Sequence, residues 1–340
     1  MTKTTVICMV PARNESWVLP HLIESAQQWA DVIIIGDHNS ADNSAEIAQR
    51  YDYVKLITLH NPAYDEDIRR KVLLEEARKI PGKRLIVSID ADEMISANWA
   101  NSPEWQQMLN AAPGTSFRFD WVELLPGLEQ ACVFGMTAAF MDDDSEYQGV
   151  KIHSPRIPAT GGEVVALQQI KLLHYDLVDP QRMLSRHRWY KCWEYLENHQ
   201  RPWAVCVTYQ DTRFKRYDAP VVPVEPAWVE GYQWLDDYRA QAPKVAKRYW
   251  WDEEVLNYFD RYGLHHFRKL NIWEADWNKK AELLGRANQS SHKYDDPRAA
   301  YEHWIHGFIQ RYREELKLKQ KLPFRLANLA GKYLLRPLGW

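Results

Sequence analysis

At 340 residues the chain is long enough for one large domain, or for a domain of about 200 residues plus an extension. Its 46% hydrophobic and 26% charged residues belong to a packed globular protein, which excludes wholesale disorder. A formal net charge of −3 removes any electrostatic ground for nucleic acid as a partner, so an anionic ligand must be held by local groups or by a metal.

Residues 6–10 are an apolar run ending at Pro11 and read as a buried strand. Residues 17–29 carry Leu19, Leu22, Ile23, Ala26 and Trp29 at helical spacing, with Asn14 and Ser16 as caps and Pro20 near the helix start. A second strand spans 32–35, and residues 37–43 are loop and cap formers. A short helix at 44–51, a strand at 54–59, a helix at 65–79 and a strand at 84–89 follow. Strand alternating with helix implies an α/β fold with a mainly parallel, Rossmann-like sheet covered by helices. Ligands in such sheets bind at the carboxyl ends of strands. The segments 11–15, 37–42 and 90–92 all follow strand ends and are expected to line one crevice.

Further strands are expected at 117–124, 132–141 and 164–173. Beyond residue 180 the chain reads as mostly helical, and it holds eleven of the sixteen tryptophans from Trp189 onward. The expected division is a catalytic domain over 1–180 and a helical extension over 181–340, with most of its aromatic residues in a core. Cys8, Cys132, Cys192 and Cys206 form no C-x-x-C, which suits a reducing cytosol rather than a thiolate metal site. No signal peptide is expected, and the longest aliphatic run, 32–35, falls far short of the ~20 residues a spanning helix needs. The expected location is cytoplasmic.

Asp90-Ala91-Asp92 ends an apolar strand. Carboxylates at i and i+2 point to opposite faces within a strand, but at a turning strand end both can meet one ion. Hard oxygen donors suit Mg2+ or Mn2+, which bridges diphosphate oxygens and neutralises charge on a leaving diphosphate. Asp37 after the second strand is placed to accept from a nucleobase N–H or a ribose hydroxyl. Pro11-Ala12-Arg13-Asn14-Glu15 follows the first strand. The alternative for each segment is a polar strand exit, turn or helix cap.

Together these segments resemble the family 2 glycosyltransferases, with their GT-A type nucleotide-sugar fold. V-P-A-R-N-E matches that family's first strand and N-E pair, D-H-N-S-A-D its D-x-x-S-x-D through Asp37, Ser40 and Asp42, and D-A-D-E its metal element through Asp90, Asp92 and Glu93. The resemblance covers about 95 residues in order and spacing, and weakens on to about residue 190. It implies nucleotide binding by Pro11, Ala12, Arg13, Glu15, Asp37, Ser40 and Asp90, and a metal held by Asp90, Asp92 and His174.

A weaker likeness is to bacterial enzymes acting on lipopolysaccharide and related cell-envelope glycans. It is carried by Lys151-Ile152-His153-Ser154, Gly161-Gly162, Leu173-His174-Tyr175 and the basic stretch 182–191. Ser154 stands where that subgroup has a glutamate. An inverting transfer needs a base, and Glu123, Asp142, Asp143, Asp144 and His153 are its candidates. Asp92 is expected at a solvent-facing strand end. Arg186 and Arg188 are further candidates for diphosphate contact.

The resemblance implies a nucleoside-diphosphate sugar as donor and a glycan or lipid-linked acceptor. Residues 316–340 carry six Lys or Arg and no acid among interspersed leucines, a pattern for peripheral contact with the inner membrane surface or for a docked terminal helix. Two other function classes stay open. A nucleotidyltransferase would favour a glycine-rich basic loop after strand one, which 11–16 lacks. A non-catalytic sugar-binding relative would explain Ser154.

Overall fold

The computed structural model describes residues 3–60, 64–209, 221–232, 248–286 and 293–314, with residues 333, 335, 337, 339 and 340. The chain divides into two compact units, Met1–Val178 with Ala219–Ala242, and Asp179–Asp218 with Pro243–Trp340.

The first unit opens with β1 (Thr5–Ala12), α1 (Leu19–Ala26), β2 (Val32–Asp37), α2 (Ser44–Gln49), β3 (Val54–Thr58), α3 (Glu66–Arg78) and β4 (Arg84–Ser88). β1, β2 and β3 are each followed by a helical crossover, so β3-β2-β1-β4 pair in parallel. The period-2 alternation of β1 is visible in its packing. Val6, Cys8 and Val10 pack on one side with Leu19, Leu22 and Ile23 of α1. Ile7 and Met9 pack on the other with Leu73, Leu74 and Ala77 of α3. With both faces covered, each large aliphatic side chain contributes about 1.5–3 kcal/mol of burial.

The remaining strands are β5 (Glu93–Ile95), β6 (Ser116–Leu124), β7 (Gln130–Met141), β8 (Val164–His174) and β9 (Val221–Pro223). The path runs β3-β2-β1-β4-β7-β6-β8-β5, with β9 on β7. The α/β class and helix-covered Rossmann-like sheet agree with the GT-A expectation. The second half adds antiparallel pairs: β7 to β4, β6 and β9, and β5 to β8.

The short β5 has a large consequence. Four strand spacings separate β4 from β5 along the path, roughly 19 Å in a flat sheet. Ser88 and Glu93 are five Cα steps apart, roughly 18 Å even at full extension. The connection is not extended, because the Glu93 amide donates to the Asp90 carbonyl at 3.0 Å. The sheet therefore curls, and the ends of β6 and β8 are carried toward the turn at 90–93.

The boundary expected at 180 leaves out the later segment Ala219–Ala242, which belongs to the first unit. There β9 pairs with β7, and Trp228 and Tyr232 enter the core of the first unit.

In the second unit, α4 (Pro180–Leu196) is capped by Asp179, whose Oδ1 accepts from the Gln181 and Arg182 amides. Phe259 of the helix Trp250–Tyr262 stacks on Trp273 at 5.1 Å and meets Trp277 edge-on at 5.1 Å, so these aromatic residues form core. Arg188 is buried in ion pairs with Asp252 (3.2 Å) and Glu274 (3.0 Å). Arg186 lies with its guanidinium 6.0 Å from the Tyr190 ring. Most of the tail at 316–340 lies outside the described residues; of the rest, Trp340 is buried with Cys206 and Ile305, and Tyr333 is exposed. Among the described residues no helix is long and apolar enough to cross a membrane. The four cysteines are free and buried.

Candidate functional site

Parallel pairing puts the ends of β2, β1 and β4 side by side. Pro11 sits opposite Gly36 and Ala12 opposite Asp37. The two following loops are joined by hydrogen bonds. The Asn14 amide donates to Ser40 Oγ (2.8 Å), the Ala41 amide to Asn14 Oδ1 (2.6 Å), the Glu15 amide to Ser44 Oγ (2.8 Å) and the Ser16 amide to Asp42 Oδ2 (3.1 Å). Asn14 and Asn39 adopt left-handed φ values of 57° and 52°, which asparagine tolerates better than most residues. Asp42 and the Ser40 hydroxyl thus act as loop ties. Ser40 carries a nucleotide-binding expectation, and its hydroxyl oxygen is already engaged here. Glu15 is buried, and its Oε2 accepts from the Trp17 indole at 2.8 Å. Arg13 is half-buried beside them.

Asp37 is 5% exposed. Its Oδ2 accepts from the Ser40 amide at 3.2 Å, while no donor among the described residues reaches its buried Oδ1. A buried carboxylate oxygen left unpaired is costly, and a ligand donor is its natural partner. Next to it, the His38 ring lies 6.2 Å from Tyr64, and the buried Arg69 guanidinium lies 5.1 Å from the Tyr64 ring.

At the end of β4, Asp90 is held by two guanidiniums, Arg70 on Oδ1 and Arg156 on Oδ2, each at 2.9 Å. Burial pushes its carboxyl up, but Arg156 and Arg70 more than offset this and hold it below the usual range. Glu93 is fully buried. It accepts from the Asp90 amide (2.9 Å), the Trp121 indole (2.6 Å) and both terminal nitrogens of Arg156. Burial pushes Glu93 up against the pull of Arg156.

Strand register assembles the rest. Glu93 of β5 and Glu123 of β6 both sit opposite His174 of β8. His174 Nε2 lies 3.6 Å from Asp92 Oδ1, and its Nδ1 lies 3.9 Å from Glu123 Oε1. The imidazole stacks on Trp121 at 4.5 Å. Burial disfavours its cation, yet Asp92, with Glu93 and Asp176, raises the His174 pKa to about 9. Asp92 is 5% exposed rather than solvent-facing.

The other base candidates are elsewhere. The Asp142 amide donates to the Arg84 carbonyl at the start of β4, so residues 142–144 lie at the opposite strand end from Asp90. Asp143, expected as catalytic, is removed from the crevice by the length of β4. Asp142 is bound by Arg78 and Arg84, and Asp144 by Arg84. His153 is exposed, with φ 58°, on a connection tied to the first turn of α3. Ser154 Oγ accepts from the Val150 amide (3.0 Å) and bonds the Tyr147 hydroxyl (2.8 Å), so this position shapes a loop.

A divalent cation has a limited donor set here. Both oxygens of Asp90 belong to arginines, and among the described residues no three His, Cys, Asp or Glu side chains form a cage. Asp92 and His174 remain. Two protein donors completed by substrate phosphates and water are a common arrangement for Mg2+, so the pair fits a cation that arrives with a diphosphate. The four carboxylates Asp90, Asp92, Glu93 and Glu123 also outnumber the guanidiniums of Arg70 and Arg156, and His174 adds a positive charge only while it ligates no cation, so an unaccompanied diphosphate finds no surplus of positive charge.

Arg70, Arg156 and Trp121 are missed by sequence reasoning. Arg70 follows Arg69 on a charged helix, and Arg156 sits in a connection without periodicity, so neither carries a local signal.

No family model matches the chain, and no curated protein sequence matches it. Solved structures similar to it include glucosyl-3-phosphoglycerate synthase from Mycobacterium tuberculosis in complex with Mn2+, UDP and phosphoglyceric acid. That match is 16% identical, covers 35% of this chain and 43% of that chain, and has a TM-score of 0.26. The same synthase with Mn2+, UDP-glucose and phosphoglyceric acid is 16% identical over 35% and 44%, with a TM-score of 0.27. Its complex with Mg2+ and UDP is 16% identical over 35% and 44%, with a TM-score of 0.26. This chain thus spans less than half the length of the structures it matches.

Proposed function

We propose that the chain is a nucleotide-sugar-dependent glycosyltransferase that moves a sugar from a nucleoside-diphosphate sugar to a glycan or lipid-linked acceptor. One observation carries the reading: acids from adjacent strand ends, Asp37 at the end of β2 and Asp90 and Asp92 after β4, flank the end of β1, and Asp37 presents a buried oxygen that no donor among the described residues reaches. In this reading Pro11, Ala12, Arg13 and Asp37 form the nucleotide end, and Asp92 with His174 holds Mg2+ or Mn2+. The cation supplies charge neutralisation of the leaving diphosphate.

Glu123 is the candidate base, since it is the proposed carboxylate within 3.9 Å of His174. It takes the proton of the acceptor hydroxyl as the new glycosidic bond forms and the bond to the diphosphate oxygen breaks, with inversion at the anomeric carbon. A thermal-shift screen of UDP-, GDP-, dTDP- and CMP-linked sugars with Mn2+ tests the reading. One donor is expected to raise Tm, and Asp92→Asn is expected to abolish that rise together with sugar transfer. Absence of any shift, or an active Asp92→Asn protein, refutes it.

The acceptor reading extends to a cytoplasmic enzyme seated on the inner membrane surface through residues 316–340. Its support is the excess of Lys and Arg there. A chain truncated after Pro323 is expected to leave the membrane pellet for the soluble fraction; unchanged fractionation rules this out.

A further inference from the structure

Asp90 is gripped from two separate elements. Arg70 reaches it from α3, and Arg156 reaches it from the connection between β7 and β8. The same connection is fastened to the first turn of α3. The Ser154 amide donates to Glu66 Oε2 (2.9 Å), the Gly149 amide to Asp67 Oδ1 (2.8 Å) and the Glu66 amide to the Lys151 carbonyl (2.9 Å). Connection, helix and acidic turn therefore form one hydrogen-bonded body. Arg156 ties it to the turn by bonding Asp90 and Glu93 at once.

A planar guanidinium can serve two carboxylates in fixed directions, which an ammonium point charge cannot reproduce. The two acids it holds bracket Ala91 and Asp92. Fixing Asp90 and Glu93 fixes the path of the backbone between them, and with it the direction of the Asp92 carboxylate.

We infer that Arg156 is a positioning residue: it sets the 90–93 turn so that Asp92 meets the cation, and Asp90 serves as its anchor rather than as a metal ligand. The role of the cation rests on the glycosyltransferase reading; the fastening of the turn rests on the geometry above.

The test uses the full chain with Arg156→Met, Arg156→Lys, Asp90→Asn, Asp92→Asn and the Asp90→Asn/Arg156→Met pair. Hydrogen exchange without ligand follows peptides covering 88–95 and 147–156. Calorimetric titration follows Mn2+ with UDP, GDP, dTDP or CMP, whichever the wild type binds. Arg156→Met is expected to speed exchange in both peptides and to weaken Mn2+–nucleotide binding by about tenfold or more, the usual scale for losing an orienting partner. Arg156→Lys is expected to restore neither fully, and it carries the test if Arg156→Met does not fold.

Asp90→Asn is expected to reproduce part of the Arg156→Met loss, since Arg156 also bonds Glu93 and Asp90 also bonds Arg70, and the double variant is expected to lose less than the sum of the two, because they share the Asp90–Arg156 contact. Asp92→Asn is expected to lose binding while 147–156 stays protected. Wild-type affinity in the Arg156 variants, or additive losses in the double variant, overturns the inference. A wild type that binds none of the four nucleotides sinks the glycosyltransferase reading separately. In that case unchanged exchange in Arg156→Met overturns the positioning role, and faster exchange supports it.

Discussion

A carboxylate withdrawn from water needs partners on every oxygen, and Asp142 has them. Its Oδ1 accepts from Arg78 Nη2 at 2.9 Å and its Oδ2 from Arg84 Nε at 2.8 Å. Burial alone pushes this carboxyl up, but the two guanidiniums outweigh it and hold it below the usual range. The folded state therefore binds its proton less readily than the unfolded chain does. The associated stability is complete above the unfolded carboxyl's pKa of about 4 and is lost as pH falls below it. Asp142→Asn is expected to cost about 1–3 kcal/mol at neutral pH, since it removes the buried anion that Arg78 and Arg84 share and leaves them only the exposed Asp144. Thermal unfolding from pH 7 to pH 3 checks this: the gap between wild type and variant is expected to narrow on acidification. Nucleotide response is expected to survive, because Asp142 lies at the far end of β4 from Asp90; its loss would contradict that placement.

At the scale of elements, what was legible followed the physics of each segment. The strands β1, β2 and β4 are buried on both faces, so their sequences are unbroken apolar runs, and the crevice at their ends follows from parallel pairing. The three residues of β5 are too short for any periodicity, yet they impose the curl that brings Glu123 and His174 to Asp92. Asp143 was misplaced because a sequence does not reveal which end of the sheet an antiparallel strand finishes on; β7 runs against β4 and ends at its start. Ser40 and Asp42 sit in a motif that resembles a ligand-binding one, and their side chains stitch two loops together. The acids of a motif are visible in sequence, but the arginines that claim them are distant in the chain. Asp90 and Arg156 are sixty-six positions apart, and a fold has to supply their meeting.

Across the whole molecule the chain order of the units is the least legible feature, because the first unit is completed by a segment that comes after the start of the second. Tyr232 shows what that segment contributes. Its ring is 6% exposed, and its hydroxyl donates to the Ile95 carbonyl of β5 (2.5 Å) and bonds Ser25 of α1 (2.9 Å). It thus ties α1 to the short strand that follows the acidic turn. Tyr232→Phe keeps the packing and loses the hydroxyl, for an expected cost of about 1–2 kcal/mol. Tyr232→Ala removes the ring as well and is expected to cost about 3–5 kcal/mol, by the scale of buried aromatic truncations. For a unit of this size that lowers Tm by roughly 10 °C, readable by calorimetry. The order wild type, Phe, Ala is the outcome expected if the segment ending at Tyr232 is part of the first unit's core. An alanine variant melting with the wild type would show instead that the first unit stands without that segment, and that a boundary drawn at 180 is sufficient.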